Sequence, residues 1–142
     1  MATPSDPPKH PPLLPENALR GKIALVTGAG SGLGKAVATA LTNADAVVVA
    51  ADIDEEAGCA TANELGISFT PIDVADMESN QAAVAFVVDK HGGLDLAHLN
   101  AGIASPFGLG DDFDLAGYRR AMGVNLDGVV FGFHAARPAL LA

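Results

Sequence analysis

Between Lys22 and Lys35 the chain reads Lys-Ile-Ala-Leu-Val-Thr-Gly-Ala-Gly-Ser-Gly-Leu-Gly-Lys, and few folds accept such a stretch. The apolar run from Ile23 to Thr27 predicts a short buried strand, and the glycines after it predict a tight turn. Leu33, Val37 and Leu41, four residues apart, then predict a helix with that face turned inward. A strand that turns through glycines into a helix gathers backbone N–H groups and the positive end of the helix dipole at one point. Such a point suits a phosphate or pyrophosphate. Gly28 permits the sharp reversal, Gly32 lets a ligand approach the backbone, and Gly34 lets the first helical turn lie close to the strand. Ser31 and Leu33 belong to the same ligand-facing turn.

The spacing is T-G-x-x-x-G-x-G, from Thr27 to Gly34. The dinucleotide fingerprint G-x-G-x-x-G is not met, because Leu33 stands three residues after Gly30 and Lys35 three after Gly32. A phosphate loop of the form G-x-x-x-x-G-K-[ST] fails too, since Ala29 and Ala36 occupy positions that need Gly and Ser or Thr. A kinase-like ATP site is set aside on that ground. Taken alone, the motif leaves open a glycine turn that binds nothing.

From Lys22 onward strand and helix patterns alternate, which predicts a parallel sheet flanked by helices. Ala46 to Ala51 reads as the second strand. Asp54 is placed to cap the next helix, with Glu55 and Glu56 in its first turn and Gly66 as its stop. Ile67 to Ile72 reads as the third strand. Asp76 caps a helix whose Val84, Val87 and Val88 face inward, and Gly92-Gly93 ends it. Leu94 to Leu99 is the fourth strand, 100–113 a loop, and a last helix starts near Asp114. Its expected inner face is Tyr118, Met122, Leu126 and Val130, with Pro138 kinking or ending it. Right-handed crossovers give a Rossmann-type α/β sheet of order 3-2-1-4.

Glycines at 117, 123, 128 and 132 of that helix each cost about 1 kcal/mol relative to alanine. Close packing is expected in return, against a neighbour that a second subunit could supply. Six prolines in the first fifteen residues predict a disordered extension over 1–20, leaving one domain over 21–142. A net charge of −9 argues against nucleic acid or an anionic membrane surface as partner, and no apolar run has the length of a membrane span. The single cysteine, Cys59, excludes an internal disulfide and is expected buried in a helix. With no secretion signal, the expected compartment is the cytoplasm. His10, His91, His98 and His134 show no ligand spacing, and no metal site is expected.

Asp52 falls about twenty residues beyond the turn, where a carboxylate can accept hydrogen bonds from both ribose hydroxyls of a dinucleotide. It also repels a 2′-phosphate. Ile53, Asp54, Glu55 and Glu56 follow without an arginine to hold one, so NAD is expected rather than NADP.

Five stretches now stand in order: 27–34, Asp52, Asp73-Val74, Leu99-Asn100-Ala101-Gly102 and 124–128. Together they resemble successive motifs of the short-chain dehydrogenase/reductase family, across everything except the proline-rich start. The resemblance implies that Gly28, Ser31, Gly32, Leu33, Gly34, Asp52 and Ile53 contact the cofactor. It further implies that Asp73 accepts from the adenine amino group and that the Val74 backbone completes adenine recognition. Asn100, Ala101 and Gly102 would pass beneath the ribose near nicotinamide while bracing the sheet. The family usually has Asn where this chain has Leu99.

Asn125 shares a helical face with Ala121, Met122 and Val129, where burial is expected and an amide needs partners. In the family, an asparagine here distorts the helix and frees a carbonyl for a water that leads to the active-site lysine. Family chemistry also uses a serine and a Tyr-x-x-x-Lys pair, for hydride exchange between nicotinamide and an alcohol or ketone. Those residues lie further along, and this chain ends at Ala142 before any of them. Tyr118 is followed four places on by Met122, and Ser105 sits in the wrong loop. The expectation is therefore the cofactor-binding portion of an NAD-dependent enzyme, inactive alone, with the catalytic segment missing. A non-catalytic nucleotide-binding or interaction module is the alternative. Strand four would be an edge with Leu94, Leu96 and Leu99 short of cover, so marginal stability or a homo-oligomer is expected.

Overall fold

The computed structural model describes residues 17–104 and 108–142. Four parallel strands form one sheet in the order β3-β2-β1-β4: β1 Ile23–Thr27, β2 Val47–Asp52, β3 Ser68–Pro71 and β4 Leu96–His98. The predicted order holds. Strands two to four are shorter or shifted by one or two residues at their ends, where pairing to the neighbour stops. Pro71, with no N–H to donate, sits on an outer strand that needs partners on one side only.

Helices cover both faces. Helix α1 (Gly32–Asn43) and α2 (Glu55–Leu65) lie on one side, while α3 (Met77–His91) and α5 (Gly128–Leu140) lie on the other. Side chains alternate along each strand to feed two cores. Leu25, Val49 and Ala51 enter the core under α3 and α5; Ala24, Val26, Val48 and Ala50 enter the one under α1 and α2. The expected caps are in place. Asp54 accepts from Ala57 N–H, Asp76 accepts from Glu78 and Ser79 N–H, and Gly66 and Gly92 end their helices in the left-handed region.

At the start of the sheet Asp95 ties two strands together. It accepts from Ile23 N–H at 2.8 Å and pairs with Lys22 at 2.8 Å. The Ile23 amide first, and the Lys22 ammonium second, hold its carboxyl below the ordinary value. Of the expected N-terminal extension, 1–16 lie outside the described residues. Its last four residues form a turn in which Arg20 reaches Asp45 at 3.1 Å. The expectations for His10 and Ser105 also fall outside the described residues.

The last helical region departs most from expectation. It consists of α4 (Leu115–Met122), a π-helical segment (Gly123–Asp127) and α5. Its buried face is Gly117, Ala121, Gly128, Gly132 and Ala136, whereas Leu126 and Val130 are more than half exposed and Tyr118 is exposed. Large apolar residues had been expected inside. The helix comes too close to its neighbours to admit them, and those neighbours are in the same chain. A Cβ on Gly128 would lie 2.8 Å from Val74 Cγ2, and one on Gly132 would lie 2.7 Å from Leu99 Cδ2. That packing gives Leu99 its place. Leu94, just before β4, is 5% exposed, whereas Leu96 and Leu99 are half-buried, so of the three leucines only Leu94 is better covered than expected. Pro138 lies in the last turn of α5, which continues to Leu140 rather than stopping.

Two further expectations fail at single residues, Leu33 on α1 and Cys59 on α2, while Val37 and Leu41 pack against the core as expected. On α1 the buried positions are Gly34 and Ala38, with Val37 and Leu41 half-buried and Leu33 77% exposed. On α2 they are Gly58, Thr61 and Ala62, which leaves Cys59 exposed. Small residues mark the contact because the helices lie close to the sheet. Among the described residues no helix is long and apolar enough to cross a membrane.

A Cβ at Gly34 would collide with the Gly28 carbonyl, which is backbone and cannot rotate away, whereas at Gly132 it meets the end of a movable leucine. Gly34→Ala is expected to cost about 1–3 kcal/mol. In Gly132→Ala the helix-propensity gain of about 1 kcal/mol offsets much of the strain. Urea denaturation checks this; equal stability of the two variants contradicts the packing account.

Candidate functional site

Because β2 and β3 lie on one side of β1 and β4 on the other, the chain leaves the sheet in opposite directions beyond β1 and β4. A crevice must open at the carboxyl ends of those strands. A cleft of about 900 Å³ lies there.

Its floor is the β1–α1 turn. Gly28 and Gly32 have φ of +68° and +52°, which favour glycine. Ala29 N–H donates to Ala51 O at 3.1 Å, and Gly30 N–H to Asp52 Oδ2 at 2.8 Å, so these two amides are used inside the protein. The first turn of α1 is different. Its first intrahelical bond runs from Lys35 N–H to Ser31 O, which leaves the N–H groups of Gly32, Leu33 and Gly34 without helical partners. Ser31 stands at the cap position but its side chain makes no capping bond, and its residue lines the cleft. These donors and the helix dipole form a site for an anion.

The turn is bound to the end of β4. Thr27, 1% exposed, accepts from Asn100 N–H at 3.0 Å and Ala101 N–H at 3.1 Å through Oγ1. Asn100 Nδ2 donates to Thr27 O at 3.2 Å. A Cβ on Gly28 would come 2.9 Å from Ala101 Cα, so only glycine allows the two segments to touch.

Asp52 forms one side wall with Ile53. Its carboxylate is fixed at both oxygens, by Gly30 N–H and by Asp54 N–H at 3.0 Å. Asp54, not Asp52, caps α2, as expected. Beyond β3, the strand beside β2, Asp73, Val74 and Ala75 also line the cleft. Asp73 Oδ1 accepts from Ala75 N–H at 3.0 Å, and Asp73 N–H donates to Ser79 Oγ at 2.9 Å.

The cleft thus brings together every cofactor residue expected from the sequence except Gly34, which is buried beneath it, and with Gly102 lining the end nearest Asn125. Asn125 itself is exposed rather than buried, yet both polar atoms of its amide have a partner. Oδ1 accepts from Ile103 N–H at 2.8 Å and Nδ2 donates to Ile103 O at 2.9 Å. It lies within the π segment, so the expected helix distortion is present at this residue.

Sequence reasoning missed four contributing residues. Thr27 was read only as a strand end. Asn80, 1% exposed, donates from Nδ2 to Val74 O at 2.9 Å and to Asp76 O at 2.7 Å, anchoring the strap that carries Asp73. Its signal was an amide in register with Val84 and Val87 on the inward stripe of α3. Arg119 and Arg120 also line the cleft, from the last turn of α4. They are far in sequence from Asp52, where a cation had been sought. Among the described residues no cluster of His, Cys, Asp or Glu could hold a metal ion.

A family model described as short chain dehydrogenase matches residues 22–142. Short-chain dehydrogenase reductase 5 of Arabidopsis thaliana is 42% identical over 123 residues, covering 84% of this chain and 48% of that protein. Cyclohexanol dehydrogenase of Acinetobacter sp. (strain SE19) is 37% identical over 131 residues, covering 89% and 52%. Among solved structures, a chain named ribose-5-phosphate isomerase from Brucella melitensis 16M superposes with a TM-score of 0.81 at 30% identity, covering 86% of this chain and 48% of that one. The chain spans about half the length of the curated relatives it matches.

Removing the Asn80 amide leaves a buried carbonyl of Val74 without its donor. Asn80→Ala is expected to lose about 1–3 kcal/mol in chemical denaturation. A variant as stable as the parent contradicts the anchoring role.

Proposed function

The chain belongs to the short-chain dehydrogenase family of oxidoreductases, and from that membership we propose that its cleft holds NAD. The observation that carries this reading is the pair of helix N-terminal amides at Gly32 and Leu33, at a cleft whose side wall is a carboxylate fixed at both oxygens. In this reading those amides and the Ser31 hydroxyl hold the diphosphate. Asp52 keeps lone pairs for the ribose hydroxyls next to adenine and repels a 2′-phosphate by a few kcal/mol, taking roughly 5 Å and an effective dielectric near 20. Asp73 has Oδ2 available for the adenine amino group. Asn100, Ala101 and Gly102, tied to Thr27, form the floor under the second ribose.

When bound, nicotinamide supplies or accepts a hydride, and the chemistry proposed for the whole protein is oxidation of an alcohol or reduction of a ketone. Support comes from relatives whose names state such substrates, cyclohexanol dehydrogenase and the (+)-borneol dehydrogenase 1 of Salvia officinalis. Asn125 acts as a positioning residue. Its amide bonds the Ile103 backbone through both Oδ1 and Nδ2, so it holds the loop beyond β4 against the π segment. The proposed setting is cytoplasmic, and the exposed Leu126, Val130 and Phe133 on the outer face of the last helices are the proposed seat of a second copy.

The test is a fluorescence titration of the protein with NADH and with NADPH. NADH is expected to saturate, with NADPH weaker by about tenfold or more, and Asp52→Asn is expected to narrow that gap. No saturable NADH signal sinks the cofactor reading. Equal binding of the two coenzymes sinks the preference for NAD.

A further inference from the structure

Two cations in the cleft have no task in the reading above. Arg119 and Arg120 are exposed and line the cleft, and neither side chain makes an ion pair or hydrogen bond among the described residues. Each guanidinium is a flat, permanently charged plane with five N–H donors. Two such groups facing a cleft without a protein partner call for a ligand surface that is anionic or π-rich.

Their location narrows the choice. Gly123 follows directly on the last turn of α4, and a Cβ there would lie 3.7 Å from the Ala75 Cβ. The arginines' turn of helix therefore stands at the Asp73–Ala75 end of the cleft, where the base of the dinucleotide sits in the reading above. Asp52 and Asp73 already set two negative charges against the two arginines. A neutral purine meets a balanced wall there, while a further phosphate would face both carboxylates. A guanidinium over an aromatic face contributes a cation–π attraction that grows as water is excluded.

We propose that Arg119 and Arg120 form the outer wall of the adenine seat, with guanidinium stacked on the purine, so that affinity for the adenosine half of the coenzyme depends on them. The proposal rests on the dinucleotide reading and adds to it a contact from α4, a helix that the glycine turn and Asp52 do not involve.

The experiment compares the parent with Arg119→Met, Arg120→Met and the double variant, all in the full chain. The ligands are NADH, NADPH, 5′-AMP and nicotinamide mononucleotide, with circular dichroism as the check on folding. Both side chains are exposed, so unchanged folding is expected. The double variant should bind NADH and 5′-AMP about tenfold more weakly, the single variants about threefold, with nicotinamide mononucleotide unchanged. Binding of NADH and 5′-AMP within twofold of the parent overturns the proposal. So does a loss confined to NADPH, which would make the arginines phosphate readers, or an equal loss for nicotinamide mononucleotide, which would make them a general field. A parent that binds NADH and is indifferent to the substitutions overturns this inference alone; a parent that binds no NADH overturns the dinucleotide reading with it.

Discussion

Everything at the open end of this sheet depends on backbone meeting backbone at Gly28. The turn after β1, the first turn of α1 and the segment leaving β4 converge there. Cβ atoms on Gly28 or Gly34 would occupy space already taken by Ala101 and by the Gly28 carbonyl itself. Buried Thr27 completes the junction, accepting two amides from the far strand through one hydroxyl. The approach fixes where α1 begins, and so where its three unpartnered N–H groups point. A wider junction would keep the same sequence motif and lose the site.

The same economy of space shapes the cleft lining beyond β3. Asp73 and Val74 lie on a strap held by Ser79 and Asn80 from one side and pressed by Gly128 from the other. The small-residue face of the last helices is thus part of the site as well as of the core. Where the regular helix gives way to a π segment, Asn125 spends its amide on Ile103 and sets the loop beyond β4. Core packing, helix irregularity and cleft shape are one arrangement.

The sequence made the sheet order legible because alternating strand and helix patterns, with right-handed crossovers, leave few arrangements. Caps at Asp54 and Asp76 were legible for a local reason: a short carboxylate at a helix start has one nearby use. Leu33 on α1, Cys59 on α2 and the inner face of the last helix were misread because apolar character was taken for burial. Leu33, Cys59, Leu126 and Val130 look like core, whereas Gly34, Gly58, Gly128 and Gly132 are the contact. Glycine and alanine carry little hydropathy signal, so a close helix contact hides from an apolar periodicity. Asn80 was missed because an amide on an inward helix face carries no apolar signal, and the two arginines because only the fold brings the last turn of α4 to the cleft.

The central claim is that the amides opening α1 grip the diphosphate of a dinucleotide. Amide-resolved nuclear magnetic resonance of labelled protein, titrated with NAD, reads those groups one by one. Saturable shifts are predicted for Ser31, Gly32 and Leu33, with those of Asp52 and Ile53 following the same curve. Resonances at 31–33 that stay still while the coenzyme binds elsewhere, or that stay still because nothing binds, would contradict the account.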